Sequence, residues 1–349
     1  MECIKGWLFI SINVRTFIFR VFFILCPVTA FPQLVEFLSF PQEGFYLFPQ
    51  NVGNHNYKFL AGNYINTKEV LKNQPFRSVL VSGDYKLMDG LDRFSVGGTY
   101  YFSRLTGSPL IDQKMFLTFS YRKVYRNNQF LVGIQPGLFN SHFDAGSVVN
   151  PDQYDRNLGG FNPDVPTFET FIPFESQNAY SLNFGGSWTK FYQNFQSTIQ
   201  FALRNMNQPD VSVFHEPYWF YRTYLVSFNT TYHLTGLDQI QCDLLNSSSE
   251  LLNEFMFSGI LTHRFSHSRF LMNSVFVGNQ WAFRSQKYPN DIIFNLGVNL
   301  KKLSVGVGYS FNFLSGGKKV ATYNTFEFSL QYRGVYEYDR KFALPCKVL

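Results

Sequence analysis

The chain has 349 residues, of which 45% are hydrophobic, 19% aromatic and only 15% charged, and its formal net charge is +6. The charged fraction lies below the roughly 25% that is usual for soluble domains, and after residue 30 no segment supplies the roughly 18 apolar residues of a membrane-spanning helix. The positive charge is mild and unclustered, which argues against nucleic acid as a partner. High aromatic content without long apolar runs is typical of a transmembrane β-barrel, whose strands carry hydrophobic residues at alternate positions.

Residues 1–30 are predicted to be a cleaved signal peptide. Basic residues up to Arg20 precede the apolar run 21–26, and the small residues before and at Ala30 fit a cleavage site. The patterning of the remaining chain predicts a periplasmic N-terminal segment at 31–56, an outer-membrane β-barrel at 57–338 and a periplasmic C-terminal tail at 339–349.

From residue 57 onward, apolar residues recur at every second position in many short segments. In 94–103, for example, apolar residues alternate with small or polar ones such as Ser95 and Thr99. A strand with one apolar and one polar face has each face in a different solvent. Strands of about ten residues with this pattern are typical of a barrel with lipid outside and a polar interior. A soluble β-sandwich rarely needs strands so long or so aromatic.

We therefore predict an all-β fold, a transmembrane antiparallel β-barrel of about 14 strands. An even number of strands is what bacterial barrels of this kind have. In chain order the predicted strands are 57–62, 76–86, 94–103, 114–124, 129–139, 178–189, 195–204, 219–232, 237–244, 251–265, 268–280, 291–300, 303–313 and 325–338.

The predicted connections between these strands alternate in length. Short ones fall at 89–90, 127–128, 192–193, 235–236, 266–267 and 301–302. Long ones fall near 63–75, 104–113, 140–177, 205–218, 281–290 and 314–324. Because outer-membrane barrels have short periplasmic turns and long extracellular loops, this rhythm predicts that both termini lie in the periplasm and that the long loops lie outside the cell.

The connection 140–177 is the longest and carries several aspartates, prolines and aromatic residues. Structureless connections of this length are uncommon and often functional, and this composition favours an ordered lid or docking surface over a flexible tether. Its aspartates lack the regular spacing of an EF-hand calcium loop, so we predict no metal site. The alternative is that the loop folds into the barrel mouth and plugs it.

No motif for catalysis or for a cofactor is found in the sequence. The six histidines form no H-E-x-x-H pair, and there is no G-x-S-x-G elbow, phosphate loop or dinucleotide fingerprint. We therefore predict no enzyme, no cofactor and no metal, although a serine and a histidine on neighbouring strands could still form a lipid-modifying enzyme. Charged side chains on the predicted inner face either line a pore or pair with one another to close it: Arg122, Arg204, Glu327 and Arg333.

Several segments together resemble one known family. The segments that carry the resemblance are 117–122, 130–138 (FLVGIQPGL), 150–155 (NPDQYD), 160–164 (GFNPD), 201–210 (FALRNMNQPD) and 324–332. In their order and motifs they resemble the PorP/SprF proteins of the Bacteroidetes type IX secretion system, over roughly residues 76–346. The family's early Asn-Pro-Ala motif is missing, and Asn205 occupies the place of its usual histidine.

The resemblance implies a non-enzymatic outer-membrane barrel that acts in protein secretion. Such proteins are associated with other type IX components and with surface attachment of a large cargo or adhesin, whose C-terminal domain docks on the barrel, and some act in gliding motility. On this reading 140–177 and 205–218 form an extracellular docking rim above the outer-membrane lipid. The candidate contacts are Asp152, Tyr154, Asp155, Phe161 and Phe168. A passive porin or small-solute channel is the alternative.

Overall fold

The structure, a computed structural model, consists almost entirely of β-strands. It describes residues 45–54, 59–71, 74–88, 92–105, 110–143, 153–155, 160–161, 176–211, 219–250, 253–265, 272–284, 291–300, 302–312 and 325–334. The predicted signal peptide at 1–30 and the predicted tail at 339–349 lie outside these residues. Within the described part, no helix is both long and apolar enough to cross a membrane, a finding that does not bear on membrane-spanning strands.

Sixteen strands and one short 3-10 helix, Pro49–Asn51, make up the secondary structure of the described residues. The prediction of an all-β antiparallel fold is confirmed. In chain order the strands are β1 (Phe59–Leu71), β2 (Gln74–Lys86), β3 (Arg93–Leu105), β4 (Leu110–Tyr125), β5 (Asn128–Phe143), β6 (Tyr154–Asp155), β7 (Gly160–Phe161), β8 (Ser176–Phe191), β9 (Phe195–Arg204), β10 (Thr223–His233), β11 (Asp238–Ser249), β12 (Asn253–Arg264), β13 (Met272–Arg284), β14 (Asp291–Leu300), β15 (Leu303–Asn312) and β16 (Thr325–Gly334).

All of these strands except β6 and β7 form one closed barrel, in which each strand pairs with the next along the chain and β8 follows β5. The circuit closes where β1 pairs antiparallel with β16, from Phe59 opposite Gly334 to Lys68 opposite Thr325. β6 and β7 pair with each other inside the connection between β5 and β8. Along the paired regions, closure gives the backbone N–H and C=O groups partners in adjacent strands.

The two faces of the barrel wall differ sharply in chemistry. On β10 the outward Tyr224, Val226 and Phe228 are exposed, whereas the alternating inward residues, such as Thr223 and Ser227, are buried. On β16 the apolar side chains again face outward, and threonine, glutamate, serine and glutamine face inward. An apolar surface of this extent is unusual for a soluble protein, and it matches a barrel whose outer surface contacts lipid.

The two ends of the barrel differ in their connections. We call the end with the β2–β3, β4–β5 and β8–β9 connections the turn end, and the opposite end the loop end. Two connections predicted to be long at the loop end, 63–75 and 104–113, are mostly strand, because β1 runs to Leu71 and β4 begins at Leu110. The apolar–polar alternation stops there, as at Asp112 and Gln113, although the ladder continues, so the pattern alone ended these strands too early.

Three strands, β4, β5 and β8, have 16 residues each, whereas β9, β14, β15 and β16 have 10 each. We call these three the raised strands. At about 3.3 Å per residue and a tilt of about 40°, such a strand rises about 40 Å along the barrel axis, compared with about 25 Å for an apolar band. The β4–β5 turn occupies only Arg126 and Asn127, so the raised strands extend past the band mainly at the loop end.

A charge placed on the outer surface tests this assignment of the faces. Leu296 is outward in the middle of β14 and 56% exposed. We expect Leu296→Arg to lower the free energy of unfolding by about 2–4 kcal/mol, because the guanidinium would lie in hydrocarbon. The measurement is a urea titration of the protein inserted in lipid vesicles, followed by tryptophan fluorescence.

The matched control is Leu303→Arg, at the turn-end start of β15, where the outward side chain lies near the edge of the band. Here we expect a loss of about 0–1 kcal/mol. Equal losses for the two variants would contradict a lipid-facing surface centred on Leu296.

Candidate functional site

The interior of the barrel is occupied by part of the chain's own N-terminal region. We call residues 45–54 the plug. The residues from Phe45 to Phe48 are each at most 3% exposed, and the following 3-10 helix contacts β4, β5 and β8. This differs from the predicted periplasmic segment at 31–56, since its described part lies inside the barrel. The physical reason is that a run of large apolar side chains is costly to leave in water, and the barrel interior covers it.

An aromatic cluster joins the plug to the barrel wall. Tyr46 stacks on Tyr101 of β3 with ring centroids 6.0 Å apart, and it meets Phe116 of β4 edge-on at 5.9 Å. Phe116 in turn meets Phe139 of β5 edge-on at 5.6 Å. The guanidinium of Arg204 lies 4.8 Å from the centre of the Tyr46 ring, a cation–π contact. The lumen therefore contains a hydrophobic core at this level.

Lys114 connects this cluster to the β9–β10 connection. Its ammonium group lies 4.8 Å from the ring centre of Tyr101, 5.8 Å from that of Phe139 and 5.5 Å from that of Phe220. Phe220 belongs to the connection between β9 and β10 and also contacts Phe139, with ring centroids 5.0 Å apart. The core around the plug thus includes a residue of the loop end.

The C-terminal half of the plug is held by polar contacts to five different strands. Each residue from Gln50 to Asn54 has such a contact, so the plug has a defined register against the wall. Gln50 Nε2 donates to the Gly186 carbonyl (3.1 Å), Asn51 Nδ2 to Gln200 Oε1 (2.9 Å), Ser120 Oγ to the Val52 carbonyl (2.7 Å), Gly53 N–H to Asp84 Oδ2 (2.7 Å) and Gln129 Nε2 to Asn54 Oδ1 (2.8 Å).

Two inward glycines allow the plug to approach the wall closely. A Cβ atom at Gly133 of β5 would lie 2.4 Å from the backbone nitrogen of Gln50 and 2.5 Å from the carbonyl carbon of Pro49. A Cβ atom at Gly185 of β8 would lie 1.9 Å from Oε1 of Gln50. The clash at Gly133 is with backbone, so no side-chain rotation relieves it. Any larger residue at Gly133 therefore has to displace the plug.

A chain of hydrogen bonds runs from the plug to the loop end. Gln135 Nε2 donates to the Phe45 carbonyl at 3.4 Å and to Thr118 Oγ1 at 2.8 Å. Asn183 Nδ2 donates to Gln135 Oε1 at 2.8 Å, and the N–H of Asn205 donates to Asn183 Oδ1 at 2.9 Å. We call Gln135, Asn183 and Asn205 the amide chain. Gln135 and Asn183 are fully buried, so each lost partner would leave a buried polar group unsatisfied.

At the loop end, the residues after β9 bind the edge of β8. The N–H of Leu182 donates to Asn207 Oδ1 at 3.1 Å, and Asn207 Nδ2 donates to the Tyr180 carbonyl. The N–H of Met206 donates to the Leu182 carbonyl at 3.0 Å. The side chain of Asn207 thus takes the place of a neighbouring strand.

The structure places only some of the predicted docking residues. Tyr154 pairs with Phe161, and Asp155 with Gly160, in the small β6–β7 ladder, and Tyr154 is 49% exposed. Asp152 and Phe168 lie outside the described residues. The described part of the connection 140–177 is therefore ordered locally as a hairpin, with an aromatic side chain accessible.

The four predicted interior charges lie on inward positions of three strands, β4, β9 and β16. Arg122 is half-buried near the turn end of β4, and Arg204 is buried beside Tyr46. Glu327 is buried on β16, and Arg333 Nη2 donates to Asn299 Oδ1 of β14 at 2.8 Å. Within the described residues, no three His, Cys, Asp or Glu side chains come together as metal ligands would.

The plug is the feature that reasoning from the sequence missed. Its signal is the run Phe45-Tyr46-Leu47-Phe48, followed by Pro49 and two amides a short distance before the first strand. Such a run does not suit a solvated periplasmic segment, and its short distance in sequence from the first strand places it within reach of the lumen. The amide chain was also missed, although Gln135 and Asn205 fall within segments that carry the family resemblance.

The fold is similar to that of solved membrane channels. The toluene transporter TodX of Pseudomonas putida aligns with a TM-score of 0.50 and 7% identity, over 88% of this chain and 95% of that chain. The CymD monoaromatic hydrocarbon channel aligns with a TM-score of 0.50 and 11% identity, over 84% of this chain and 93% of that chain. At such identities the likeness concerns the fold alone. No curated protein matches the sequence.

The family resemblance, in contrast, extends along most of the sequence. The family model described as "Type IX secretion system membrane protein PorP/SprF" matches residues 30–332. This range includes the plug and every strand of the barrel except the end of β16. Together with the apolar outer surface of the barrel, it locates the protein in the outer membrane. The chain belongs to the PorP/SprF family of type IX secretion system membrane proteins.

Proposed function

We propose that this barrel is a closed outer-membrane anchor that acts in type IX secretion and holds a large secreted protein, such as an adhesin, at the cell surface. Catalysis has no part in this proposal, and a role in gliding motility follows where the held protein is a motility adhesin. The single observation that carries the proposal is the plug, because a lumen filled by an aromatic core and anchored amides suits a platform better than a pore.

The alternative is a passive channel for small solutes. It draws support from the fold, since the similar structures are described as a toluene transporter and a monoaromatic hydrocarbon channel. The geometry around the plug favours the anchor. Aromatic rings and the amides of Gln50 and Asn51 span from β3 to β9, and a conducting path on this side of the lumen would require the plug to leave.

In this proposal the loop end is the extracellular end. The raised strands then extend beyond the apolar band into the medium, and the connection 140–177 continues from two of them. We infer that Tyr154, Asp155 and Phe161 contact the held protein, together with Asp152 and Phe168. Aromatic residues are enriched in protein interfaces, and the exposure of Tyr154 supports this assignment.

Conductance in planar lipid bilayers separates the anchor from the channel. We expect the intact protein to be silent, because the plug blocks the lumen. Replacing residues 45–54 by a Gly/Ser stretch of the same length should open measurable single-channel currents, since it removes the four large side chains of 45–48 from the lumen and the wall around Gln50 to Asn54 carries small and polar residues. A heat-modifiable band on gels shows that the variant still forms a barrel.

The matched control replaces exposed residues 234–237 of the β10–β11 turn in the same way, which should leave the barrel silent. If the intact protein conducts as well as the plug variant, the plug does not close the lumen, and the passive channel becomes the better reading.

Surface retention of the secreted protein tests the docking rim. Deleting 145–170 should release it from the cells into the medium while the barrel still inserts. The double variant Tyr154→Ala/Phe161→Ala should reduce retention several-fold, because aromatic contacts often dominate interface energies. The readout is the fraction of the secreted protein that remains on washed cells.

The control for the double variant is Leu234→Ala/Leu237→Ala, which trims two exposed apolar side chains at the turn end. It should leave retention unchanged. A secreted protein that stays on the surface after the deletion, on a barrel that inserts normally, would remove this connection from the docking role.

A further inference from the structure

We propose that the loop-end extension of β8 binds its partner by strand addition, pairing its open edge with an extended segment of the secreted protein. The inference depends on the proposed function for the identity of the partner. The manner of binding, however, follows from the backbone of β8 itself. The segment that pairs with β8 is an uncharged or apolar strand of the held protein.

One edge of β8 lacks a neighbouring strand at the loop end. β8 pairs with β5 from Ser176 onward, but with β9 only from Phe184 onward. β9 stops because Asn205 adopts a φ of +52°, a left-handed conformation that turns the chain out of the sheet. Among the described residues, no strand pairs with this edge of β8 between Ser176 and Asn183.

The beginning of the open edge shows which way its polar groups point. Both the N–H and the carbonyl of Leu182 bond to the residues after β9, and the carbonyl of Tyr180 does the same. In an antiparallel sheet, alternate residues direct their backbone groups to the same side. The N–H of Tyr180 and both backbone groups of Asn178 therefore point to the open side, in position to continue the ladder that Asn207 begins.

The pairing with β5 agrees with this direction. Asn178 lies opposite Asn140, and their side chains are joined by a hydrogen bond of 2.8 Å. Because the backbone groups of Asn178 point away from β5, occupation of the open edge leaves the β5–β8 ladder intact. Strand addition to such an edge is a recurring mode of peptide recognition, in which main-chain bonds supply affinity and alternate side chains supply specificity.

The surroundings of this edge suit a protein partner. Tyr180 is 75% exposed, the largest fraction among the large hydrophobic side chains of the described residues, and Trp219 is 49% exposed in the same connection as Asn207. Prolines and charged residues protect exposed strand edges from pairing. The segment 176–180 contains neither. As part of a raised strand, the edge also lies beyond the apolar band, on the side where we place the secreted protein.

Replacing Asn178 by proline tests the pairing directly. Asn178→Pro removes an N–H that faces the open side, a position where a strand tolerates proline, whereas Asn178→Ala removes the same side chain and keeps that N–H. We expect Asn178→Pro to lower retention of the secreted protein about tenfold relative to Asn178→Ala, because a carbonyl of the partner is left unpaired in the interface. Both variants should remain heat-modifiable barrels.

Amide hydrogen exchange on the intact protein provides a second readout, which does not depend on the folding of a variant. The amides of Asn178 and Tyr180 should exchange slowly in the complex with the secreted protein and rapidly in the barrel alone. Rapid exchange in both samples would overturn the proposal. Slow exchange in both would overturn it as well, because the edge would then be covered by this chain or by a second copy.

The deletion of 145–170 distinguishes failure of this inference from failure of the proposed function. If the deletion releases the secreted protein and Asn178→Pro retains it as well as Asn178→Ala does, strand addition is wrong while the anchor stands. If a knockout of the whole barrel leaves the secreted protein on the surface, the anchor itself is wrong. Dimers of the intact barrel that Asn178→Pro dissociates would assign the edge to a second copy and overturn the inference.

Discussion

Backbone pairing in a closed circuit is the constraint from which the rest of this molecule follows. In hydrocarbon, an unpaired N–H or C=O costs several kcal/mol, so a strand can cross only where both of its edges are bonded. The contact of β1 with β16 meets this demand by joining the two ends of the barrel sequence. Closure with this many strands also encloses a space, and the outward positions already hold the apolar residues. The interior of such a barrel can hold water or protein, and in this structure it holds the plug.

The plug also links the interior to the loop end. Gly133 permits its backbone to approach, Gln135 bonds to it, and Asn183 passes the contact to Asn205, where β9 ends. Asn207 then binds the edge of β8. The segments 130–138 and 201–210, which carry much of the family resemblance, are thus segments that connect the plug to the rim. Their amides have structural partners, which accounts for the residue types better than a ligand would.

The sequence predicts a strand well where its two faces contact different environments, lipid outside and a polar interior, and poorly where both faces are polar. The alternation in 94–103 or 325–332 reports a lipid face directly, and the strands there were located well. At Asp112 and Gln113 both faces of β4 are polar and the alternation is lost, so the strand begins earlier in the sequence than predicted. The plug was missed because its partners, such as Tyr101 and Phe139, are distant in sequence. The residues next to Tyr46 in sequence do not indicate that its ring packs against aromatic side chains of the barrel wall.

The plug precedes β1 by only a few residues, and β1 is one of the two strands that close the circuit. Only residues 55–58 separate Asn54 of the plug from Phe59 at the start of β1. A tether of this length keeps the plug at the barrel that its own chain closes, so the core of the lumen is a covalent extension of the wall. The wall is in turn completed by a pairing between residues more than 250 positions apart, and contacts so distant in sequence are typical of slowly folding proteins.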